Sequence, residues 1–319
     1  MKQIQVDKQL DELPKPCEVF NLMVGTSTGG LITLMLARLE LSVDECITEY
    51  ERISKDVFGE KNEERYEAFG VAKDLEDAVK RVVTAADKDK NPDAMMQSGS
   101  KCRAVVIASR TDDISTQPPT HFRTYWMQSG NSLDCKIWEA ARATSAAPAY
   151  FERIKVGGFE YVDGGLQANN PVIQTLSESM VAFGEPRPVG CLISLGTGMP
   201  PPQALRDHSG FFGNIKSFTS LGAAIVGQLT NSHRAHLDVT GLNLHQALAA
   251  KYYRFNALLG IDLSSGDPKW ESKAVGLDNT RLIPKFKAAS EDYLKGAEPQ
   301  EWLKDRARIP GRRLDQQKA

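Results

Sequence analysis

The feature that most constrains this chain is a six-residue turn, Gly25-Thr26-Ser27-Thr28-Gly29-Gly30, set between two apolar runs. Before it, Glu18 to Val24 (EVFNLMV) reads as a short buried strand. After it, Leu31 to Leu39 (LITLMLARL) is apolar on nearly every side and reads as a buried helix. Gly25 to Gly29 matches G-x-S-x-G, and the strand–turn–helix context is what a nucleophile elbow requires. The glycines leave room for a strained turn that lifts Ser27 out of the sheet. The following helix directs its N-terminus at the serine and favours negative charge there. An ordinary Gly-rich turn is the competing reading, and the context rather than the five letters favours the elbow. A Walker phosphate loop fails, because Leu31 and Ile32 stand where lysine and a hydroxyl are needed. Gly196-Thr197-Gly198 hints at a dinucleotide loop, but no third glycine follows at the right place.

Downstream, Ser42 and Glu45 form a capping-box pair. They open a helix with an apolar stripe of Val43, Cys46, Ile47, Tyr50, Ile53 and Val57. The pattern predicts a helix over about Val71 to Ala85 and a mobile loop at DKDKNPD, residues 87–93. Arg103 to Ser109 and Phe122 to Met127 read as strands, and Ile137 to Ala147 as an Ala-rich helix stopped by Pro148. Phe151 to Val156 and Phe159 to Val162, joined by Gly157-Gly158, read as a hairpin closed by Asp163-Gly164-Gly165. Pro171 can open a helix running to about Phe183, because its fixed φ suits a first turn. Val189 to Leu195 is a further strand, Phe211 to Ala250 looks helical, and Tyr252 to Asn256 reads as a last strand. Strands alternate with helices, and the strands are continuously apolar, as in a sheet covered on both faces. The expected fold is therefore a three-layer α/β/α domain over residues 1–260, with 261–319 a charged helical extension.

Composition narrows the function. The 319 residues carry a net charge of −2, which gives no electrostatic footprint for nucleic acid. No run of 18 apolar residues offers a membrane span, and the polar N-terminus lacks a signal-peptide core, so a cytoplasmic protein is expected. The five cysteines contain no CxxC pair, which fits neither a zinc site nor a disulfide framework.

A serine nucleophile needs a base. None of the five histidines, His121, His208, His233, His236 and His245, sits in a distinctive context, and His233 and His236 read as surface or packing residues. Asp163 ends a hairpin strand before two glycines, where its carboxylate can project and backbone can approach closely.

Four segments together resemble the patatin-like phospholipases: Gly25 to Gly30; Ala141-Arg142-Ala143-Thr144-Ser145-Ala146-Ala147-Pro148; Asp163-Gly164-Gly165 with Asn169-Asn170-Pro171; and Ser194 to Gly198. The resemblance covers roughly residues 1–260. It implies a calcium-independent acyl hydrolase of phospholipid or other acyl-ester lipids at a membrane surface, with no cofactor and no metal. It implies Ser27 as nucleophile and Asp163 as base, within the motif glycines Gly25, Gly29, Gly164 and Gly165. The family's D-G-G-G-x-R-G oxyanion loop has no counterpart here, since residues 1–24 contain no glycine. The expectation is that this loop and the first strand are missing. Thr28 then remains as one oxyanion donor and turnover is weak, since one such donor is worth about 10²–10³ in rate. Two alternatives remain: an α/β-hydrolase esterase drawing a Ser-Asp-His triad from His208, His233, His236 or His245, and a non-catalytic lipid-binding homologue. The apolar face running from Phe211 and Phe212 to Leu229 fits a helix packed on the sheet, which is the favoured reading, or a cover over the acyl pocket that makes peripheral lipid contact.

Overall fold

The computed structural model describes residues 1–59, 71–112, 114–127, 133–148, 150–183, 189–198, 232–241, 252–257 and 283–307. Strand β1 (Leu22–Thr26) runs parallel to β2 (Arg103–Arg110), with Thr26 opposite Ile107. Two strands pair antiparallel with β2: β3 (Thr120–Arg123) along Val105 to Ala108, and β5 (Phe159–Asp163) along Ala108 to Arg110. β4 (Ile154–Val156) completes a hairpin with β5, and both glycines of its turn have positive φ, Gly157 at 57° and Gly158 at 86°. That is the backbone a two-residue primed turn demands. β6 (Leu192–Leu195) and β7 (Tyr252–Phe255) form a separate parallel pair.

β2 is buried along residues 104–109, as its uninterrupted apolar run requires. Its side chains enter two layers alternately. Val106 and Ala108 join a core with Phe122 and Tyr161 under helices α3 (Thr28–Thr33), α4 (Val43–Phe58), α5 (Val71–Ala86) and α6 (Ile137–Thr144). Val105 and Ile107 pack instead with Ala168 of α7 (Gly165–Ala168), and α8 (Val172–Phe183) lies against β1. Helices therefore cover both faces of a central sheet. Each fully buried aliphatic side chain in these layers contributes about 1.5–3 kcal/mol.

Several elements differ from the sequence reading. β1 begins at Leu22 rather than Glu18, because Pro16 to Val19 form a short helix, α2, whose Glu18 carboxylate accepts a bond from the Lys15 N–H at 2.9 Å. The apolar run after the elbow is α-helical only to Thr33. Residues Leu34–Arg38 make a π turn, with the Leu39 N–H donating to the Leu34 carbonyl at 2.9 Å. On α4 the Ser42–Glu45 capping box forms in both directions, but Ile47 of the expected stripe is 42% exposed, while Ser54, outside that stripe, is buried. The 87–93 segment is an ordered turn: the Asp87 carboxylate accepts the Asp89 and Asn91 N–H groups, and the Asn91 side chain accepts that of Asp93. β3 starts earlier than expected and ends at Arg123, since β2 pairs with it only from Val105 to Ala108. α6 ends at Thr144, short of Ala147, with the Ser145 N–H bonded back to the Ala141 carbonyl.

Residues 232–241 are helical. The apolar face from Phe211 to Leu229 lies outside the described residues, as do His208 and His245. The two helices Ile283–Leu294 and Ala297–Ala307 pack onto the rest of the chain: Trp302 stands edge-on to Tyr253 and Phe255 of β7, and Lys287 pairs with Glu51 of α4 at 2.6 Å. Helix α1 (Lys2–Lys8) lies against Ala297–Ala307.

Candidate active site

Ser27 sits between β1 and α3 with φ 55° and ψ −128°, a left-handed backbone that L-residues rarely adopt. Tight packing of strand on helix creates this turn. A methyl group on Gly25 would stand 2.1 Å from the Gly29 carbonyl oxygen and 2.4 Å from Thr33 Oγ1, so only glycine fits there. The second glycine of the motif differs: a methyl at Gly29 would meet no atom within 4 Å. Space beside the serine is therefore open at that point.

Asp163 arrives from the other direction. It ends β5 opposite Ala108, one residue beyond the Ile107 that Thr26 faces, so both side chains reach the same level of β2. The Ser27 hydroxyl donates to Asp163 Oδ2 at 2.6 Å. The other carboxylate oxygen accepts the Gly165 N–H at 2.7 Å. Gly164 permits this approach, because a methyl there would come within 2.3 Å of the Ile107 carbonyl oxygen. Asp163 is 6% exposed. Burial pushes its carboxyl up from 3.8 to about 6, although the hydrogen bonds from Ser27 and Gly165 pull the other way. A carboxyl that titrates this close to neutrality can both take up and give back a proton, as acid–base work requires.

Thr28 opens α3, where the first N–H groups of a helix have no intrahelical acceptor. Its hydroxyl lies 3.4 Å from Tyr50 Oη. The described histidines are engaged elsewhere. His121 Nδ1 is 2.9 Å from Glu178, and His236 Nδ1 is 3.1 Å from Tyr252 Oη, with the His233 ring 5.8 Å from that of His236. The Gly196-Thr197-Gly198 loop also has a local use: the Gly196 N–H donates to the Phe255 carbonyl and that of Gly198 to the Asn256 side chain.

Two buried groups escaped the sequence reading, and the first of them is bonded to the Ser27 backbone. Thr144 Oγ1 accepts the Ser27 N–H at 2.8 Å and donates to the Ile107 carbonyl at 2.6 Å. It stood within a motif segment, but nothing in its local spacing points to Ser27. The second is a buried cluster on α8. Glu178 takes Arg123 Nε at 2.6 Å and Nη2 at 2.9 Å, the His121 ring, and the Tyr125 hydroxyl. Burial pushes the Glu178 carboxyl up, but the bonds from His121, Arg123 and Tyr125 outweigh it and hold the group down at about 2. The recurrence of His121, Arg123 and Tyr125 at every second residue is the signal that could have revealed it.

The fold and the elbow define an α/β protein that presents one serine, bonded to a buried carboxylate, at the end of a sheet strand. Residues 8–176 match the family model for patatin-like phospholipase, which spans over half of the chain. The chain belongs to that family. It is 28% identical over 300 residues to calcium-independent phospholipase A2-gamma of Rattus norvegicus, covering 88% of this chain and 35% of that protein. Phospholipase A I of Arabidopsis thaliana is 24% identical over 327 residues, covering 83% of this chain and 24% of the relative. Patatin-like protein 2 of Oryza sativa subsp. indica is 28% identical over 194 residues, covering 54% of this chain and 47% of the relative. The chain spans less than half the length of each of these relatives.

Proposed function

We propose that this chain is a lipid acyl-ester hydrolase of phospholipase A2 or lysophospholipase type, with Ser27 as nucleophile and Asp163 as its base. The single observation that carries the reading is the 2.6 Å bond from a serine on a strained turn to a buried carboxylate. Family membership and the names of the relatives supply the substrate class.

The chemistry balances with groups of the chain alone. Asp163 accepts the Ser27 proton as Oγ adds to the ester carbonyl carbon. The N–H of Thr28, at the positive end of α3, offers a hydrogen bond to the oxyanion that forms. The tetrahedral intermediate collapses, the bond to the leaving alcohol oxygen breaks, and Asp163 returns the proton to that alkoxide. A water molecule then gives its proton to Asp163 and attacks the acyl carbon. Collapse releases the fatty acid and the proton returns to Ser27 Oγ. Asp163 must be ionised to begin, so the rate rises with pH through the carboxyl's value of about 6. No described helix is long and apolar enough to cross a membrane. The proposed substrate, a phospholipid, is met at a lipid surface, because its acyl ester must leave the bilayer to reach the half-buried Ser27.

The test is fatty-acid release from phosphatidylcholine vesicles, measured by mass spectrometry with EDTA present. The wild-type chain is expected to release fatty acid. Ser27→Ala and Asp163→Asn are each expected to lose at least about 10³-fold. Release that persists unchanged in Ser27→Ala overturns the reading.

A further inference from the structure

We infer that Thr144 is a positioning residue for the nucleophile, its buried hydroxyl locking the Ser27 backbone to the level of β2 from which Asp163 approaches. This inference rests on the Ser27–Asp163 reading above. The Thr144 side chain is 0% exposed. A hydroxyl has one proton to give, and that of Thr144 goes to the Ile107 carbonyl, so toward Ser27 it acts as acceptor. The two bonds join the residue after β1 to the residue of β2 that precedes Ala108, which is paired with Asp163. One oxygen thus ties both halves of the dyad to one register.

The backbone explains why such a tie is required. Ser27 holds φ 55°, a conformation that persists only when the surroundings over-determine it. The Ser27 carbonyl is engaged, accepting the Gly30 and Leu31 N–H groups at 2.8 and 3.1 Å. Its N–H has Thr144 as partner. The same side chain braces the helix behind the elbow: a methyl on Gly30 would lie 2.8 Å from Thr144 Cγ2 and 2.9 Å from its Oγ1. Removing the hydroxyl leaves the Ser27 N–H without this acceptor, and the turn relaxes toward common φ values. Relaxation swings Ser27 Oγ away from Asp163 while leaving the open space at Gly29 unchanged.

The experiment uses the full chain and a fluorophosphonate, which labels an activated serine without needing turnover. Thr144→Val keeps the shape and deletes the hydroxyl, and Thr144→Ser keeps the hydroxyl and deletes the methyl. The maximal labelling rate is expected to fall roughly 10–100-fold in the valine variant, with half-saturation of the probe within about twofold, as for a misplaced reactive group. The serine variant is expected to stay within about threefold of wild type. The acid limb of the labelling profile is expected to move upward in the valine variant, because Asp163 loses the Ser27 bond that favours its ionised form. Thr144→Ala checks the hydroxyl loss in a smaller side chain. Equal rates in the valine and wild-type chains overturn the inference, and so does equal loss in the valine and serine variants. Unfolding of both hydroxyl-free variants by circular dichroism also overturns it, since the hydroxyl would then hold the fold and not the serine. Labelling of wild type that persists in Ser27→Ala overturns the dyad itself, a result distinct from an unchanged valine variant.

Discussion

Asp163→Asn is expected to make the protein more stable at pH 8 while abolishing its chemistry. The carboxyl is shifted from 3.8 to about 6, chiefly by burial. Each unit corresponds to 1.36 kcal/mol, so the ionised group costs about 3 kcal/mol of folding stability. The sign follows from proton binding: the folded state holds the proton more tightly than the unfolded one. Well below 3.8 both states are protonated and there is no penalty. The penalty grows as pH rises toward 6 and is constant above. Asparagine mimics the protonated acid, with its carbonyl oxygen available to the Gly165 N–H and its amide available to Ser27 Oγ. Urea unfolding of both chains from pH 4 to pH 8 measures the difference. The two are expected to differ by less than about 1 kcal/mol at pH 4, and the variant to be ahead by about 2–3 kcal/mol by pH 8. A variant no more stable than wild type at pH 8, or a difference that ignores pH, would refute the assignment of burial as the source of the shift.

Gly25→Ala places a methyl 2.1 Å from the Gly29 carbonyl oxygen, so the elbow must shift. Fluorophosphonate labelling of Ser27 is expected to fall by at least about tenfold, with about 1–3 kcal/mol of stability lost to overpacking; retention of wild-type labelling would show that the turn has slack. Glu178→Ala strands the Arg123 guanidinium, whose side chain is 15% exposed, and is expected to cost about 3 kcal/mol in urea unfolding at pH 7. Glu178 binds its last proton near 2, below the ordinary range, so the wild-type advantage over this variant should shrink as pH falls through about 4 toward 2.

What could be read from the chain divides by range. The elbow was legible because strand, turn and helix are contiguous and the glycines sit where Gly25 meets Gly29. The hairpin was legible because Gly157 and Gly158 fix its turn. The capping box at Ser42 and Glu45 is equally local. The end of the helix after Ser27 was not legible, since the π turn at Leu34–Arg38 leaves no mark in an apolar run. Nor was the exposure of Ile47, because periodicity gives a face but not the width of what covers it. Pro16 drew α2 into what looked like strand. Ser27 and Asp163 are 136 residues apart, and only the family resemblance linked them in the sequence. Thr144 and Glu178 act through pairings of α6 with β1 and β2, and of α8 with β3, that no local pattern encodes.

The central claim is that Ser27 is activated by Asp163, and the most direct test is the pH dependence of fluorophosphonate labelling, with the adduct mapped by peptide mass spectrometry. One adduct is expected, on Ser27, with a rate that rises through a midpoint near 6 and is lost in Asp163→Asn. An adduct on another residue, or labelling of Ser27 that proceeds unchanged without the Asp163 carboxylate, would contradict the account.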